Sequence, residues 1–141
     1  MQVTPDVQKA YQIAKMCRER AHAPYSQFHV GAAVKLKGVP EAIGGCNVEN
    51  ASYGGTFCAE RTAFVRAVAE LGAGNVKPEF VVVVTGEYDA TVPCALCLQV
   101  MAEFSGDDMP VYLGNLTGIQ KQFRFKDLLP HPFRSFQADQ P

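Results

Sequence analysis

The sequence contains no tryptophan, no excess of either charge and no long hydrophobic run. Its 13 basic and 14 acidic residues give a formal net charge of −1, and no cluster of lysine and arginine stands out among them. Polyanions such as DNA and RNA are bound through such clusters, so we expect no nucleic-acid partner. No apolar run approaches the ~20 residues that span a bilayer, so we expect no membrane partner either. A small neutral substrate fits this composition better.

Residues 1–6 also lack the basic start and the apolar centre of a signal peptide, so we expect no export signal. The expected location is therefore the cytoplasm, where the five cysteines would bind metal or remain free thiols rather than form disulfides. We expect Cys17 and Cys46 to behave as small buried hydrophobic residues. The length of 141 residues and the 48% hydrophobic content predict one domain with a single core over residues 1–141.

Hydrophobic periodicity predicts three helices and five strands in the order α-β-β-α-β-α-β-β. The helices are expected at residues 4–21, 58–71 and 94–105, and the strands at 28–36, 42–48, 80–84, 111–113 and 119–125. The β-branched run at 80–84 is typical of a strand buried on both faces, and the helix that follows it implies a parallel pair at the centre. The fold class is therefore α/β, a three-layer α-β-α sandwich around a mixed five-stranded sheet.

Three cysteines occur in two short motifs that both open a predicted helix. Cys58 begins a C-x-E sequence that ends at Glu60, and Cys94 and Cys97 form a C-x-x-C that follows Pro93. Three thiolates suit Zn²⁺, and three protein ligands leave the fourth tetrahedral position open, as in catalytic sites. A helix start favours the thiolate form, and Glu60 is near enough to transfer protons. The combined motif resembles the signature of zinc nucleobase deaminases.

Further segments extend this resemblance over roughly residues 5–133. They are APYSQFHVGAA at 23–33, NVENASY at 47–53, TFCAERTA at 56–63, PCALCLQVMAEF at 93–104 and LLP at 128–130. With these segments the chain is similar to the short, homotetrameric, zinc-dependent cytidine deaminases. The resemblance implies hydrolysis of cytidine or deoxycytidine to uridine or deoxyuridine plus ammonia, as in pyrimidine salvage. It also implies a cytidine deaminase-like fold and one Zn²⁺ per chain that activates the attacking water.

The resemblance assigns roles to individual positions. It implies that Cys58, Cys94 and Cys97 bind zinc and that Glu60 is the proton shuttle. Positions near the zinc ligands are Arg61, which would offset the thiolate charge, and Gln99. Substrate contacts would come from Phe28 stacking on the pyrimidine, Val30 lining the pocket, Asn47 and Glu49 holding the ribose hydroxyls, and the Ala59 backbone N–H meeting the base carbonyl. Tyr53 and Phe133 resemble residues that a neighbouring subunit contributes, so the complete pocket would exist only in the homotetramer.

Two positions depart from the family pattern, which reads P-C-G-x-C-R-Q where this chain has P-C-A-L-C-L-Q. Ala95 replaces a glycine, which is a mild change unless the backbone there needs a positive φ. Leu98 replaces an arginine, and the loss of a positive charge would make the zinc more electron-rich and its water less acidic. We expect activity to survive, and a modified or antibiotic aminopyrimidine nucleoside is an alternative substrate.

Simpler interpretations remain for each of these residues. The cysteines could be buried or redox-active thiols, or a fourth ligand from Cys46, His22 or His29 could close a structural zinc site, which would make the chain a non-catalytic zinc or thiol module. Ordinary packing would explain the aromatic residues at 28, 53 and 133. A turn would explain Asn47, and a solvated loop position would explain Glu49. If Glu49 does bind the sugar, its charge would repel a phosphate and favour a nucleoside over a nucleotide.

Overall fold

The computed structural model describes residues 1–139 and confirms the predicted order of elements. The helices and strands are α1 Pro5–Arg18, β1 Val30–Leu36, β2 Ile43–Cys46, α2 Ala59–Leu71, β3 Pro78–Thr85, α3 Ala95–Ala102, β4 Pro110–Asn115, β5 Gly118–Arg124 and α4 Phe125–Leu128. Short 3₁₀ turns lie at Tyr53–Gly55 and Ala73–Asn75. Helix α4 was not predicted, α1 and α3 end earlier than expected, and Phe28 precedes β1 rather than belonging to it.

The five strands form one mixed sheet in the order β2-β1-β3-β4-β5. Strands β3 and β4 are parallel, and all other neighbouring pairs are antiparallel. Helix α3 connects the two parallel strands, as the buried run followed by a helix predicted. The sheet therefore confirms the predicted fold class.

Helices cover both faces of this sheet and divide the core into two clusters rather than one. Helix α1 packs on one face through Val7, Ala10, Tyr11 and Ala14. The larger cluster on the other face contains the inner sides of α2 and α3. Among the described residues, no helix has both the length and the apolar character to cross a bilayer.

Strand β1 lies between these two layers, so all seven of its residues are buried. The predicted alternation placed Lys35 on the face opposite the apolar residues, and α1 covers that face. The Lys35 ammonium compensates by donating hydrogen bonds to the carbonyl oxygens of Leu36 at 3.1 Å and Val39 at 2.7 Å. A buried cation needs such partners.

Local sequence explains where the helices begin and end. The Thr4 hydroxyl accepts a hydrogen bond from the Val7 N–H at 3.3 Å, and Pro5 follows as the first helical residue of α1. Helix α2 ends at Gly72, whose φ of +83° suits a residue without a side chain. Cys58 and Cys94 occupy the cap positions of α2 and α3, so the folding of both helices sets the places of their thiols.

Candidate metal centre and substrate pocket

The sulfur atoms of Cys58, Cys94 and Cys97 form a compact triangle. Cys58 Sγ is 3.9 Å from Cys94 Sγ, which is 3.5 Å from Cys97 Sγ, and all three lie within 4.8 Å of one another. Tetrahedral Zn²⁺ with Zn–S bonds of ~2.3 Å separates its sulfur ligands by about 3.8 Å. The triangle therefore fits one zinc ion per chain without rearrangement of its backbone.

Within residues 1–139, no histidine, acidic residue or further cysteine joins these three thiols in a cluster whose donor atoms all lie within 4.8 Å of one another. Cys46, His22 and His29 are not part of this cluster, so the geometry gives no support to a closed structural site built on them. Cys17 and Cys46 are half-buried free thiols rather than fully buried ones. Burial raises the pKa of Cys46.

Arg61 supplies positive charge beside the first thiol. Its Nη2 atom donates to the Thr56 carbonyl at 2.9 Å and approaches Cys58 Sγ at 3.8 Å. A hydrogen bond from the Cys97 thiol, followed by the effect of Arg61, lowers the pKa of Cys58 to about 5. The same hydrogen bond with Cys58, together with burial and the nearby Glu60, raises the pKa of Cys97. Zinc binding requires thiolates, so metal uptake releases the remaining protons.

Glu60, the second residue of α2, is a buried carboxyl beside the cysteines, and only 4% of its surface is exposed. Burial raises the pKa of Glu60 to about 7, and the Cys58 thiolate adds to this rise while a hydrogen bond with Cys97 opposes it. A carboxyl with a pKa near the working pH both accepts and donates protons readily. This environment therefore suits a proton shuttle.

A cavity of about 270 Å³ opens beside these groups, where β3 ends and α2 and α3 begin. Eight predicted site residues line it, namely Phe28, Val30, Asn47, Glu49, Tyr53, Cys58, Glu60 and Cys94. The cavity is also lined by residues that were not predicted to contact the substrate, namely Ser26, Thr56, Val83, Thr85, Thr91, Val92 and Pro93. The Thr85 hydroxyl is buried and has no hydrogen-bond partner in the described part of the chain. The signals for Ser26 were its place in the family-like segment at 23–33 and its position two residues before Phe28.

Asn47 and Glu49 are both buried, so Glu49 is not the solvated loop acid considered above. The Asn47 side chain accepts from the Val30 N–H at 2.8 Å and donates to the Phe28 carbonyl at 2.7 Å. Glu49 Oε1 accepts from the backbone N–H groups of residues 25 and 26, each at 3.0 Å, and its Oε2 accepts from the Ser26 hydroxyl. The Ser26 hydroxyl and then these N–H groups hold the pKa of Glu49 below its usual range, against the opposing effect of burial.

Tyr53 and Phe133 lie apart in the single chain. Tyr53 lines the cavity of its own chain, edge-on to Tyr25 with ring centroids 6.4 Å apart, and a contribution from a neighbouring subunit stays a prediction. Phe133 is 65% exposed, lies outside the cavity lining and stacks on Phe136 at 6.2 Å. Ala59 is the first residue of α2, so its N–H belongs to the helix-terminal groups that lack an intrahelical partner.

Gln99, two residues after Cys97 on α3, contacts the C-terminal tail, and its role beside the zinc ligands stays a prediction. Its Nε2 donates to the Phe133 carbonyl at 2.6 Å, and its Oε1 accepts from the Phe133 N–H at 3.4 Å. Arg134 in the same tail donates to the carbonyls of Ala102 and Ser105, at 2.7 and 2.8 Å, where α3 ends. The tail therefore holds the far end of α3.

The two residues that depart from the family pattern, Ala95 and Leu98, lie in different surroundings. Ala95 is the first residue of α3, and Gln27 is the one non-glycine residue with a positive φ in the described chain, so position 95 does not require glycine. Leu98 is buried in the apolar core and does not line the cavity. Its location gives no support to an altered substrate preference, which stays a prediction.

Comparisons with known proteins agree with this site. The family model for the cytidine and deoxycytidylate deaminase zinc-binding region matches residues 4–113. The cytidine deaminase of Sporosarcina psychrophila is 42% identical over 139 residues, which cover 96% of this chain and 99% of that protein. The Halalkalibacterium halodurans cytidine deaminase is 44% identical over 128 residues, covering 91% and 94%.

Solved structures give the same result. The crystal structure of cytidine deaminase from Burkholderia pseudomallei superposes with a TM-score of 0.81 at 40% identity, covering 89% of this chain and 98% of that one. The Mycobacterium tuberculosis enzyme gives 0.74 at 32% identity, covering 92% and 98%. The thiol triangle, the sheet order and these matches together show that the chain belongs to the zinc-dependent cytidine deaminase family.

Proposed function

We propose that this chain catalyses the hydrolytic deamination of cytidine or deoxycytidine to uridine or deoxyuridine and ammonia. The observation that carries the proposal is one cavity lined by two thiols of the metal triangle, by the buried Glu60 carboxyl and by Phe28. A non-catalytic zinc site would not need an open cavity beside the metal or a carboxyl with a pKa near 7. The cytidine deaminases named above support the same substrate.

Zinc supplies the nucleophile when bound, because it lowers the pKa of a coordinated water. Glu60 accepts one proton as the water oxygen adds to C4 of the pyrimidine, and it delivers that proton to N3. Glu60 then takes the proton of the new C4 hydroxyl and gives it to the exocyclic amine. The C4–N bond breaks, ammonia leaves and C4 becomes a carbonyl. Such proton transfer contributes typically ~10²–10⁴-fold to the rate.

Recognition would use both the base and the sugar. Phe28 stacks on the pyrimidine, Val30 forms the cavity wall and the Ala59 N–H meets the base carbonyl. Asn47 and Glu49 bind ribose hydroxyls, and the negative charge of Glu49 disfavours a phosphate on the sugar. We therefore expect kcat/KM to be at least ~10-fold higher for cytidine than for its 5′-monophosphate, since removal of one unfavourable buried charge contact exceeds ~1.4 kcal/mol.

We also propose a cytoplasmic homotetramer whose pockets are shared between subunits. Support comes from large apolar side chains that are exposed in the single chain, namely Phe57, Val65, Leu96 and Phe133. Light scattering would give a mass four times that of the chain, and Phe133→Ala would raise KM if the ring enters a neighbouring pocket. A monomer with full activity would contradict the proposal.

Purified protein provides the direct test of function. We expect about one zinc per chain, a fall in cytidine absorbance with release of an equal amount of ammonia, and loss of turnover after chelation that zinc restores. Cys94→Ser should lose zinc and activity together, whereas Cys17→Ser, a free thiol outside the triangle, is the matched control. Full zinc occupancy without turnover of any aminopyrimidine nucleoside would favour the non-catalytic zinc module.

A further inference from the structure

Ser26 contacts two different parts of the substrate pocket through one hydroxyl group. Its Oγ donates to Glu49 Oε2 and accepts from the Phe28 N–H at 3.0 Å. Glu49 is the proposed sugar-binding carboxylate, and Phe28 is the proposed base-stacking ring. Ser26 thus lies between the groups that would bind the two halves of a nucleoside.

Asn47 completes the same network from the other side of Phe28. Its side-chain amide donates to the Phe28 carbonyl at 2.7 Å, and its oxygen accepts from the Val30 N–H at 2.8 Å. Phe28 precedes β1 and gains no backbone partner from the sheet. The Ser26 hydroxyl and the Asn47 amide therefore bind both polar groups of its backbone.

The chain direction between Ser26 and Phe28 depends on an unusual residue. Gln27 has a φ of +58°, a left-handed conformation that is unfavourable for a side chain with a Cβ atom. Such a conformation persists only when surrounding contacts hold it. The contacts present here are the Gln27 N–H bond to the Ala23 carbonyl at 2.9 Å and the hydrogen bonds of Ser26 and Phe28. This turn brings the Phe28 N–H to the Ser26 hydroxyl.

The number of acceptor sites on Glu49 limits what it can still bind. An ionised carboxylate has about four lone-pair sites. Three are used by the Tyr25 N–H, the Ser26 N–H and the Ser26 hydroxyl, and the Tyr53 side chain is a further hydrogen-bond partner of this carboxylate. Little acceptor capacity therefore remains for a sugar hydroxyl, and the Ser26 contact helps to set its direction. The Ser26 proton is committed to Glu49, so Ser26 acts on the substrate through its neighbours.

We propose that Ser26 is a positioning residue that couples sugar binding by Glu49 to base stacking on Phe28. The proposal rests on the proposed deaminase function. It adds a residue that determines the preference for nucleosides with sugar hydroxyls over substrates that lack them. It predicts that the loss of the hydroxyl lowers affinity for substrates that carry ribose hydroxyls, without removing zinc or changing the proton shuttle.

The test compares Ser26→Ala and Ser26→Thr on cytidine and on 2′,3′-dideoxycytidine, which lacks the 2′- and 3′-hydroxyls of the sugar and keeps the 5′-hydroxyl. A hydrogen bond to a charged group corresponds to ~10–100-fold in affinity. We expect Ser26→Ala to raise KM for cytidine by that factor, with kcat within about threefold and zinc content unchanged. The change for dideoxycytidine should stay below about threefold, because Asn47 still holds the Phe28 carbonyl when the Ser26 hydroxyl is removed. Ser26→Thr, which keeps the hydroxyl, should recover most of the loss. Ser52→Ala, an exposed serine outside the cavity lining, is the matched control.

A double-mutant cycle with Glu49→Gln separates positioning from general destabilisation. If Ser26 acts through Glu49, Ser26→Ala should have much less effect in the Glu49→Gln background than alone. If Ser26→Ala does not fold with zinc, Ser26→Cys replaces it, because its thiol is a weak donor of similar size. Equal losses on both substrates, additive effects in the cycle or an unchanged KM would overturn the proposal. A wild-type protein that does not deaminate cytidine would overturn the proposed function instead.

Discussion

Replacement of Glu60 by glutamine should change activity and stability in opposite directions. The amide has nearly the same size as the carboxyl but cannot carry protons between water, N3 and the leaving amine. We expect kcat to fall by at least ~10²-fold with zinc still bound. Stability should rise, because burial raises the pKa of Glu60 from 4.5 to about 7 and so makes the charged form unfavourable in the folded chain.

The size of the stability effect depends on pH. Between pH 4.5 and 7 the folded chain holds a proton on Glu60 that the unfolded chain has released, so wild-type stability falls as pH rises through this window. The raised pKa lowers the free energy of unfolding of the wild type by about 3 kcal/mol above pH 7, because one pKa unit corresponds to ~1.4 kcal/mol. Below pH 4.5 it has almost no effect, because Glu60 is protonated in both the folded and the unfolded chain. Glutamine has no such dependence, so the variant should gain about this amount at pH 8.

Urea denaturation of zinc-stripped protein at pH 5 and pH 8 measures this difference, with cytidine turnover measured on the zinc-loaded forms. Glu70→Gln is the control, because Glu70 is exposed on the same helix and pairs with Arg66 at 2.8 Å. A Glu60→Gln variant with the same stability gain at both pH values would show that Glu60 is not a buried carboxyl of raised pKa. A variant with near-normal kcat would remove Glu60 from its role as the shuttle.

Three further substitutions test other parts of the site. Arg61→Gln removes the positive charge near Cys58 Sγ, so zinc affinity in a chelator competition should fall at least ~10-fold, and unchanged affinity would exclude charge compensation by Arg61. Thr85→Val removes a buried hydroxyl without a partner, so the free energy of unfolding should rise by ~1 kcal/mol; a decrease would mean that the hydroxyl is paired, for example through water. Gln27→Gly relieves the left-handed backbone and should stabilise the chain by ~0.5–1 kcal/mol in denaturant titration. Gln8→Gly, on the exposed face of α1, is the control and should destabilise the chain. A loss of stability in Gln27→Gly would argue against strain at position 27.

The metal site could be predicted from sequence because its chemistry restricts the residues that build it. Three thiols at C-x-E and P-C-x-x-C spacing suit one tetrahedral ion, and Cys58 and Cys94 lie at helix starts that local sequence determines. The run at residues 80–84 likewise indicated the buried central strand, since both of its faces need apolar side chains. These features depend on residues that are close in sequence or on a fixed coordination geometry.

Features that depend on distant residues were missed or only partly predicted. Gln99 binds the tail at Phe133, and no periodic pattern links positions so far apart. The second buried face of β1 arises because α1 folds over Lys35, whose charge suggested a solvent-facing position. The contacts of Asn47 and Glu49 with the segment before β1 also follow from tertiary folding. The resemblance placed these two residues in the pocket, but it did not indicate that Asn47 holds Phe28 or that Glu49 holds residues 25 and 26.

Helix α3 is a single short element of eight residues held at both ends by long-range contacts. The metal ties its start to α2, and Arg134 ties its end to the tail. Helices this short are unstable alone, and a chain without zinc loses one of the two restraints on α3. The start of α3 should therefore exchange its amide protons faster than the sheet does. Proteases cleave segments that open locally, so limited proteolysis of purified protein should cut near α3 faster without zinc than with it.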